Sequence, residues 1–397
     1  MKAKFYISAI YTSPPGTMGG NTKIMLEIID NLVSKYDFII LTTEPKTFQK
    51  NLKNIKRVKI VSIKYPFPKF SYKSHIKEIQ YVKDYFDKYF AKNNLTSHDY
   101  FYSCSDFAPD VLPIVYLKEK YSFTWIATLY LFIPSPIDNI INHYQFPFIK
   151  YVVYFFYQKY IFTKIVEKGD LFVITNEYDK KMFTQKYRSK VFAIYGGVNA
   201  EQIEKAKNDK KLSEKYDAVF CSRLHPQKGI SQLLEIWRDV INKNPKAKLA
   251  VIGNGEKKYV KSLKQKAMQV GVNNNIEWLG YVNNTEKYKI YLQSKMLLHA
   301  TVYDNNGMVA AEALSSGLPV VMYDLLPLKK LYTAGCIKIP LRDKKAFADN
   351  TLRMLNDNKY YNRIKPTKFD INNAQKLWKW EYRTELFYNF IKQNEKY

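Results

Sequence analysis

Asp304-Asn305-Asn306-Gly307-Met308-Val309-Ala310-Ala311-Glu312-Ala313-Leu314-Ser315-Ser316-Gly317-Leu318-Pro319-Val320-Val321 passes from a polar loop into a short helix of small apolar residues, then through Gly-Leu-Pro into a β-branched run. Glycine just past the last helical residue, with proline two positions beyond, is a helix stop. The apolar residues at 296–299 and 319–323 read as strands on either side. The stretch is therefore strand, loop, helix, strand, the grammar of a parallel sheet covered by helices.

The same grammar extends in both directions. Apolar runs at 218–222, 249–252 and 276–279 supply further strands, with helical periodicity at 231–242 and 257–270 between them. Upstream, strands are expected at 4–10, 38–42, 58–63, 123–128, 171–175 and 191–194, and a helix at 21–32 that puts Ile24, Ile28 and Leu32 on one face. The Gly196-Gly197 turn and the charged segment 201–217 separate the two series. With no internal repeat of 20 to 50 residues, the expectation is two Rossmann-like domains, 1–200 and 201–372. An amphipathic helix in 373–397, carrying Leu377, Trp380, Leu386, Phe387 and Phe390, closes the chain.

Of 397 residues, 46% are hydrophobic and 25% charged, which excludes a disordered or fibrous chain. Lys and Arg number 63 against 36 Asp and Glu, a net charge of +27, and there are 34 Tyr and 24 Phe. Such an excess first points to nucleic acid. However, residues 1–199 hold 28 basic and 16 acidic side chains, leaving 35 and 20 for the rest, so the halves carry +12 and +15. Only eight of the basic residues are Arg, the residue with the planar fork that reads base edges or clamps phosphates bidentately. The densest stretch, 46–92, is one candidate docking face for an anionic partner. Cys104, Cys221 and Cys336 are widely spaced, with no CxxC and no partnering His cluster, and suggest neither a zinc site nor a disulfide framework. The uncharged run 121–137 is too short to span a bilayer and contains Pro134 and Pro136. A cytoplasmic chain is expected, soluble or peripheral at the cytoplasmic face of a membrane.

Ligands of open parallel sheets bind outside the carboxyl ends of the strands. Gly19 and Gly20 follow the first strand and open a helix, where backbone amides can approach an anion. Arg223 and Lys228, in the loop after 218–222, present two cations suited to a diphosphate. Gly253 lies in a turn that admits a ligand to backbone, and Tyr281 follows the strand at 276–279. In the opening stretch, Asn306, Gly307, Met308 and Val309 supply amides where the helix begins. Asp304 and Glu312 are its two carboxylates, and Glu312 also fits a helix-dipole or capping role.

These residues resemble the nucleotide-binding domain of the family-4 retaining glycosyltransferases of GT-B fold, whose signature is a Glu-x7-Glu pair followed by a small-residue helix, Gly and Pro-Val. The resemblance is strongest over 218–331 and extends to the Gly19-Gly20 loop, to Gly196-Gly197-Val198-Asn199 and to the C-terminal helix. It implies two domains facing across a cleft, with that helix crossing back to the first. It also implies that Arg223 and Lys228 hold the donor diphosphate, that Glu312 binds the ribose, and that Asp304 lies near the donor sugar. Two departures stand out. Asp304 replaces the usual Glu, and Tyr130 falls where many relatives carry a His, making it the acceptor-side candidate.

No Asp-x-Asp pair occurs, so no metal or other cofactor is expected and the two cations take the charge of the leaving phosphate. The resemblance thus implies a hexosyltransferase, retaining and metal-independent, moving a sugar from a nucleotide-sugar to a lipid-linked, glycan or protein acceptor. Two other readings stay open at this point: a basic nucleic-acid-binding protein or DNA-modifying transferase, and a GT-B phosphorylase or sugar-nucleotide epimerase. Residues 144–163 hold ten aromatics with Lys150 and Lys159, which fits either a core helix or a helix at an anionic membrane surface.

Overall fold

The computed structural model describes residues 2–12, 19–67, 74–141, 148–209 and 213–395, side chains at 139–141, 148–150 and 284 excepted. The described chain divides into two compact units. The first runs to Gly196 and resumes at Arg383; the second is Gly197–Tyr382.

Seven parallel strands form the first sheet: β1 (Lys4–Ala9), β2 (Asp37–Thr42), β3 (Lys59–Ser62), β4 (Tyr100–Ser103), β5 (Thr124–Leu129), β6 (Leu171–Ile174) and β7 (Val191–Ala193), in the order β3-β2-β1-β4-β5-β6-β7. The near-continuous burial of β1, β4 and β6 is what helices on both faces of a sheet demand. The order reverses between β1 and β4, and Asp110 ties the strand ends together there. Its carboxylate accepts from Ser8 Oγ (3.1 Å), Ile10 N (2.7 Å), Tyr11 N (3.2 Å) and Ser105 Oγ (2.5 Å).

The second sheet has six parallel strands: β8 (Ala218–Cys221), β9 (Leu249–Ile252), β10 (Ile276–Gly280), β11 (Leu297–His299), β12 (Val320–Tyr323) and β13 (Cys336–Ile339), ordered β10-β9-β8-β11-β12-β13. Its reversal lies between β8 and β11. Helices Ile230–Lys243 and Lys257–Gln269 occupy the stretches whose periodicity called for them.

Two features differ from the sequence expectation at the carboxyl end of the chain. The expected single helix is two, Lys368–Trp378 and Trp380–Gln393. Lys379 between them is extended because it bridges in parallel to Val198, whose N–H donates to the Trp378 carbonyl at 2.6 Å. Residues 373–382 consequently stay with the second unit, where Gln375 Nε2 donates to Ser315 O at 2.9 Å. Only from Arg383 onward does the chain join the first unit. There Phe387 and Phe390 meet Phe192 with centroids 5.9 and 5.2 Å apart.

Candidate functional site

The loops leaving β8 and β11 meet at the strand reversal of the second sheet, where open α/β sheets bind their ligands. They are fastened to one another. Gln227 Nε2 donates to Tyr303 O at 2.7 Å, and Val302 N donates to Gln227 O at 3.1 Å. Gly229 has φ +71°, and a Cβ there would lie 1.8 Å from the Ala300 carbonyl, so no side chain fits between these loops. The loops after β9 and β10 are joined to the same edge: Leu224 N donates to Asn254 O (2.8 Å) and Gly253 N to Gly280 O (2.8 Å). Gly253 itself is pressed against Ser222, whose carbonyl would be 1.8 Å from a Cβ.

Lys228 and Asp304 link the two central loops by an ion pair of 2.7 Å, with side chains 18% and 17% exposed. The other Asp304 oxygen, Oδ1, accepts from the amides of Asn305 (2.9 Å), Asn306 (3.3 Å) and Gly307 (3.3 Å). Burial works against the Asp304 charge, but the Lys228 ammonium and His299 outweigh it and hold the carboxyl well below the usual range. Asp304 therefore stays ionised and shapes the loop, one methylene shorter than a glutamate would be. Arg223 is exposed and makes no ion pair among the described residues. Burial, then the charges of Arg223 and Lys228, lower the affinity of His225 for a proton, so both cations act around one point of the loop.

The helix Met308–Ser315 begins at Gly307, whose φ of +57° sets the entry. The first amides of any helix lack carbonyl partners within it, and here they belong to Met308 and Val309. Tyr332, fully buried, braces this entry by donating its hydroxyl to the carbonyls of Asn306 (2.7 Å) and Gly307 (3.0 Å). Glu312 is the fifth residue of this eight-residue helix, which rules out the capping reading. Its partner is Lys287 at 2.7 Å, both side chains 12% exposed. Burial would lower the Lys287 ammonium; Glu312 and the nearby Cys221 thiol outweigh it and raise it above the ordinary lysine value.

Among the sequence-predicted residues, then, Arg223, Lys228, Gly253, Asp304, Asn306, Gly307, Met308, Val309 and Glu312 all lie at the carboxyl edge of one sheet or on the helix that follows it. Tyr281, 66% exposed, follows β10 at the same edge. Gly19, Gly20 and Tyr130 belong to the first unit. Among the described residues, nothing lies within 4 Å of a Cβ placed on Gly20. Tyr130 hydrogen-bonds Tyr102 across 2.8 Å, and burial raises its phenol above its ordinary value, so it is no base at neutral pH.

Lys287, His299 and Tyr332 were missed by sequence reasoning. His299, the last residue of β11, is buried with Nε2 3.6 Å from Asp304 Oδ2. Lys287 left one legible signal: it shares a helix face with Ile290 and Tyr291, three and four positions on, both buried.

With this geometry established, residues 201–369 match the family model described as glycosyl transferases group 1. The second unit is a group 1 glycosyl transferase domain. An uncharacterised glycosyltransferase of Methanocaldococcus jannaschii is 31% identical over 144 residues, 34% of this chain and 36% of that protein. The matched stretches span about one-sixth to just over half of the length of the curated relatives. Over the whole chain, the sucrose-phosphate synthase of Thermosynechococcus elongatus has a TM-score of 0.78 at 15% identity, covering 99% of each chain. The Anabaena protein HepE in complex with UDP-glucose gives 0.70 at 14%, covering 98% of this chain and 99% of that one. The fold of the chain, its group 1 domain included, is thus the GT-B fold of two Rossmann-like domains.

Proposed function

We propose that the protein is a family-4-like retaining hexosyltransferase which takes a sugar from a nucleotide-sugar and places it on a lipid-linked or glycan acceptor. The observation that carries this reading is the convergence, at the strand reversal of the group 1 domain, of Arg223, the Lys228–Asp304 pair, the helix entry at Met308 and the Glu312 carboxylate.

Each group has one task. Arg223 and Lys228 bind the donor diphosphate and take up the charge that grows on it as the sugar leaves. The amides of Met308 and Val309 add hydrogen bonds at the positive end of their helix. Glu312, its rotamer fixed by Lys287, accepts from the ribose hydroxyls through the oxygen turned away from the lysine. Asp304 is engaged by Lys228 and three amides, so it is ill-suited to attack the sugar and instead fixes the loop beside it. The transfer then proceeds on one face: the bond from sugar to phosphate breaks, the departing phosphate oxygen takes the acceptor's proton, and the acceptor oxygen joins the same face of the sugar. The charge on the leaving group is met by the two cations instead of a metal ion. The first unit holds the acceptor, with Tyr130 on its side, Gly19 and Gly20 keep the role of donor-binding residues, and the enzyme works in the cytoplasm at a membrane surface.

A panel of nucleotide-sugars, read by thermal shift and by release of nucleoside diphosphate, tests this. One donor should stabilise the protein and be consumed, with retained anomeric configuration in the product by NMR. Arg223→Ala should cut turnover by two or more orders of magnitude; full activity in that variant overturns the assignment. Consumption that requires inorganic phosphate, or epimerisation without acceptor, would instead indicate the phosphorylase or epimerase class.

A further inference from the structure

Among the described residues of the first unit, six large hydrophobic side chains are exposed, and five of them lie on three helices: Ile76 (82%), Ile137 (68%), Val153 (57%), Phe156 (59%) and Tyr160 (50%). In the second unit the exposed hydrophobics are spread over more elements: Met268, Leu326 and Tyr382 each stand on a different one, Tyr281 follows β10, and only Phe369 and Leu377 share a helix. Single exposed apolar residues need no explanation; a concentration of them does.

The three helices adjoin. In His75–Phe90, the His75 ring meets Tyr157 of Phe148–Lys168 edge-on with centroids 5.2 Å apart, and Nε2 is 2.5 Å from the phenol oxygen. Helix Pro136–Ile141 packs on Phe148–Lys168 as well. The long helix has two apolar stripes. Tyr151, Ile161 and Ile165 face the core, joined by Gln158, whose amide satisfies Asp106 and the Leu131 carbonyl. Val153, Phe156 and Tyr160, spaced by three and four residues, form a second stripe turned outward. A surface helix that needed only the core would be polar there.

The helix that carries the stripe is basic. The helix Phe148–Lys168 holds four lysines and one glutamate, and that glutamate, Glu167, is already paired with Lys164 at 2.9 Å. Lys77, Lys159 and Lys168 are exposed and form no ion pair among the described residues. Of the acids on the neighbouring helices, Asp87 is paired with Lys120 (2.6 Å), while Asp138, Asp84 and Glu78 accept hydrogen bonds from neutral partners, Ser135 Oγ (2.7 Å), Gln80 (2.7 Å), and Tyr11 with Ser74. No described helix is long and apolar enough to cross a membrane.

We infer that the helices His75–Phe90, Pro136–Ile141 and Phe148–Lys168 form a docking surface for an anionic lipid bilayer. Val153, Phe156, Tyr160, Ile76 and Ile137 enter the headgroup boundary, and Lys77, Lys159 and Lys168 meet lipid phosphates. The long helix lies in the membrane plane, since its rings supply the apolar depth and its lysines stay at the headgroups. The inference extends the proposed function by giving the first unit its membrane partner, and rests on that reading only in making the acceptor lipid-linked.

Flotation of the full chain with phosphatidylcholine vesicles, with and without 50% phosphatidylglycerol, tests it without any nucleotide-sugar, so failure of the transferase reading leaves this result standing. The protein should float with the anionic vesicles and lose at least tenfold in partition in 0.5 M salt. Val153→Ser/Phe156→Ser/Tyr160→Ser should cut binding at least tenfold, and Lys77→Glu/Lys159→Glu should abolish the preference for anionic lipid. Both variants change exposed side chains only, and unchanged circular dichroism melts check that they fold. Absence of the wild-type chain from the floated fraction overturns the inference, as does equal flotation of the serine variant. So does a wild-type dimer that ignores vesicles and is dispersed by the serine substitutions, which would assign the surface to a second copy of the chain.

Discussion

Replacing Lys287 by methionine keeps the length and apolar stem of the side chain and removes its charge, leaving the Glu312 carboxylate with no ammonium in a position 12% exposed. Removing one partner of a buried pair costs about 3–5 kcal/mol, because the remaining charge is stranded. Here some water reaches both groups, so the lower end applies: about 3 kcal/mol for Lys287→Met. Glu312→Gln keeps an acceptor for Lys287 and costs less, about 2 kcal/mol, at the level of one charge-assisted hydrogen bond. In the double variant neither charge is stranded, and its cost should fall short of the sum by about 2 kcal/mol, within the range for residues in direct contact. Four of the five tryptophans, Trp237, Trp278, Trp378 and Trp380, lie in the second unit, so urea unfolding followed by tryptophan fluorescence reads the transition there. For a unit of this size the Lys287→Met loss corresponds to a fall in Tm of about 6–12 °C. A coupling below about 0.5 kcal/mol would refute the claim that the two side chains act as one unit. Measured on the same proteins, nucleotide affinity by calorimetry should fall at least tenfold for Glu312→Gln. It should fall less for Lys287→Met, which retains the carboxylate and loses only its orientation.

Tyr332→Phe deletes the hydroxyl that spans the Asn306 and Gly307 carbonyls while preserving the ring; it should raise the KM for the donor several-fold with kcat little changed and cost about 1 kcal/mol in urea unfolding, and an unaltered KM would deny Tyr332 its bracing role. Asp106 offers a pH test: burial, added to by the charge of Asp110, pushes its carboxyl up to about 6 despite the hydrogen bond from Gln158. Because the folded value exceeds the unfolded one near 4, the native state binds the extra proton in that window. Stability from this group is therefore full below about 4, declines up to about 6 and is level above. The stability of the wild type relative to Asp106→Asn should fall between pH 4.5 and 6.5 and then stay flat; a difference independent of pH would contradict the assignment.

The strands that sequence reading found are those built from aliphatic runs, such as 38–42 and 249–252, because burial on both faces leaves no room for polar residues. β4 escaped it because Tyr100-Phe101-Tyr102-Ser103 contains no aliphatic residue, although all four are buried. β13 escaped it because it is an edge strand with Lys338 in the middle. The site was legible where chemistry and spacing coincide along the chain, as from Asp304 to Glu312. It was illegible where partners meet only through the fold: Lys287 reads as one more surface lysine of a basic protein until a helix carries it to Glu312. The aromatic run 144–163 could not be resolved because its helix has an apolar stripe on each side, so one pattern served two faces. Of that run, 144–147 lie outside the described residues, as do Lys69 and Lys73 of the dense basic stretch.

The first unit is assembled from the two ends of the chain, and that has a consequence for synthesis. Its sheet is completed early, yet Tyr36, Tyr102 and Phe192 find their last ring partners only in Tyr388, Phe387 and Phe390. On a ribosome these residues emerge after the second unit has been made in full. The nascent first unit must therefore wait with one flank of its core uncovered, while the group 1 domain, continuous in sequence from Gly197 to Tyr382, can close at once.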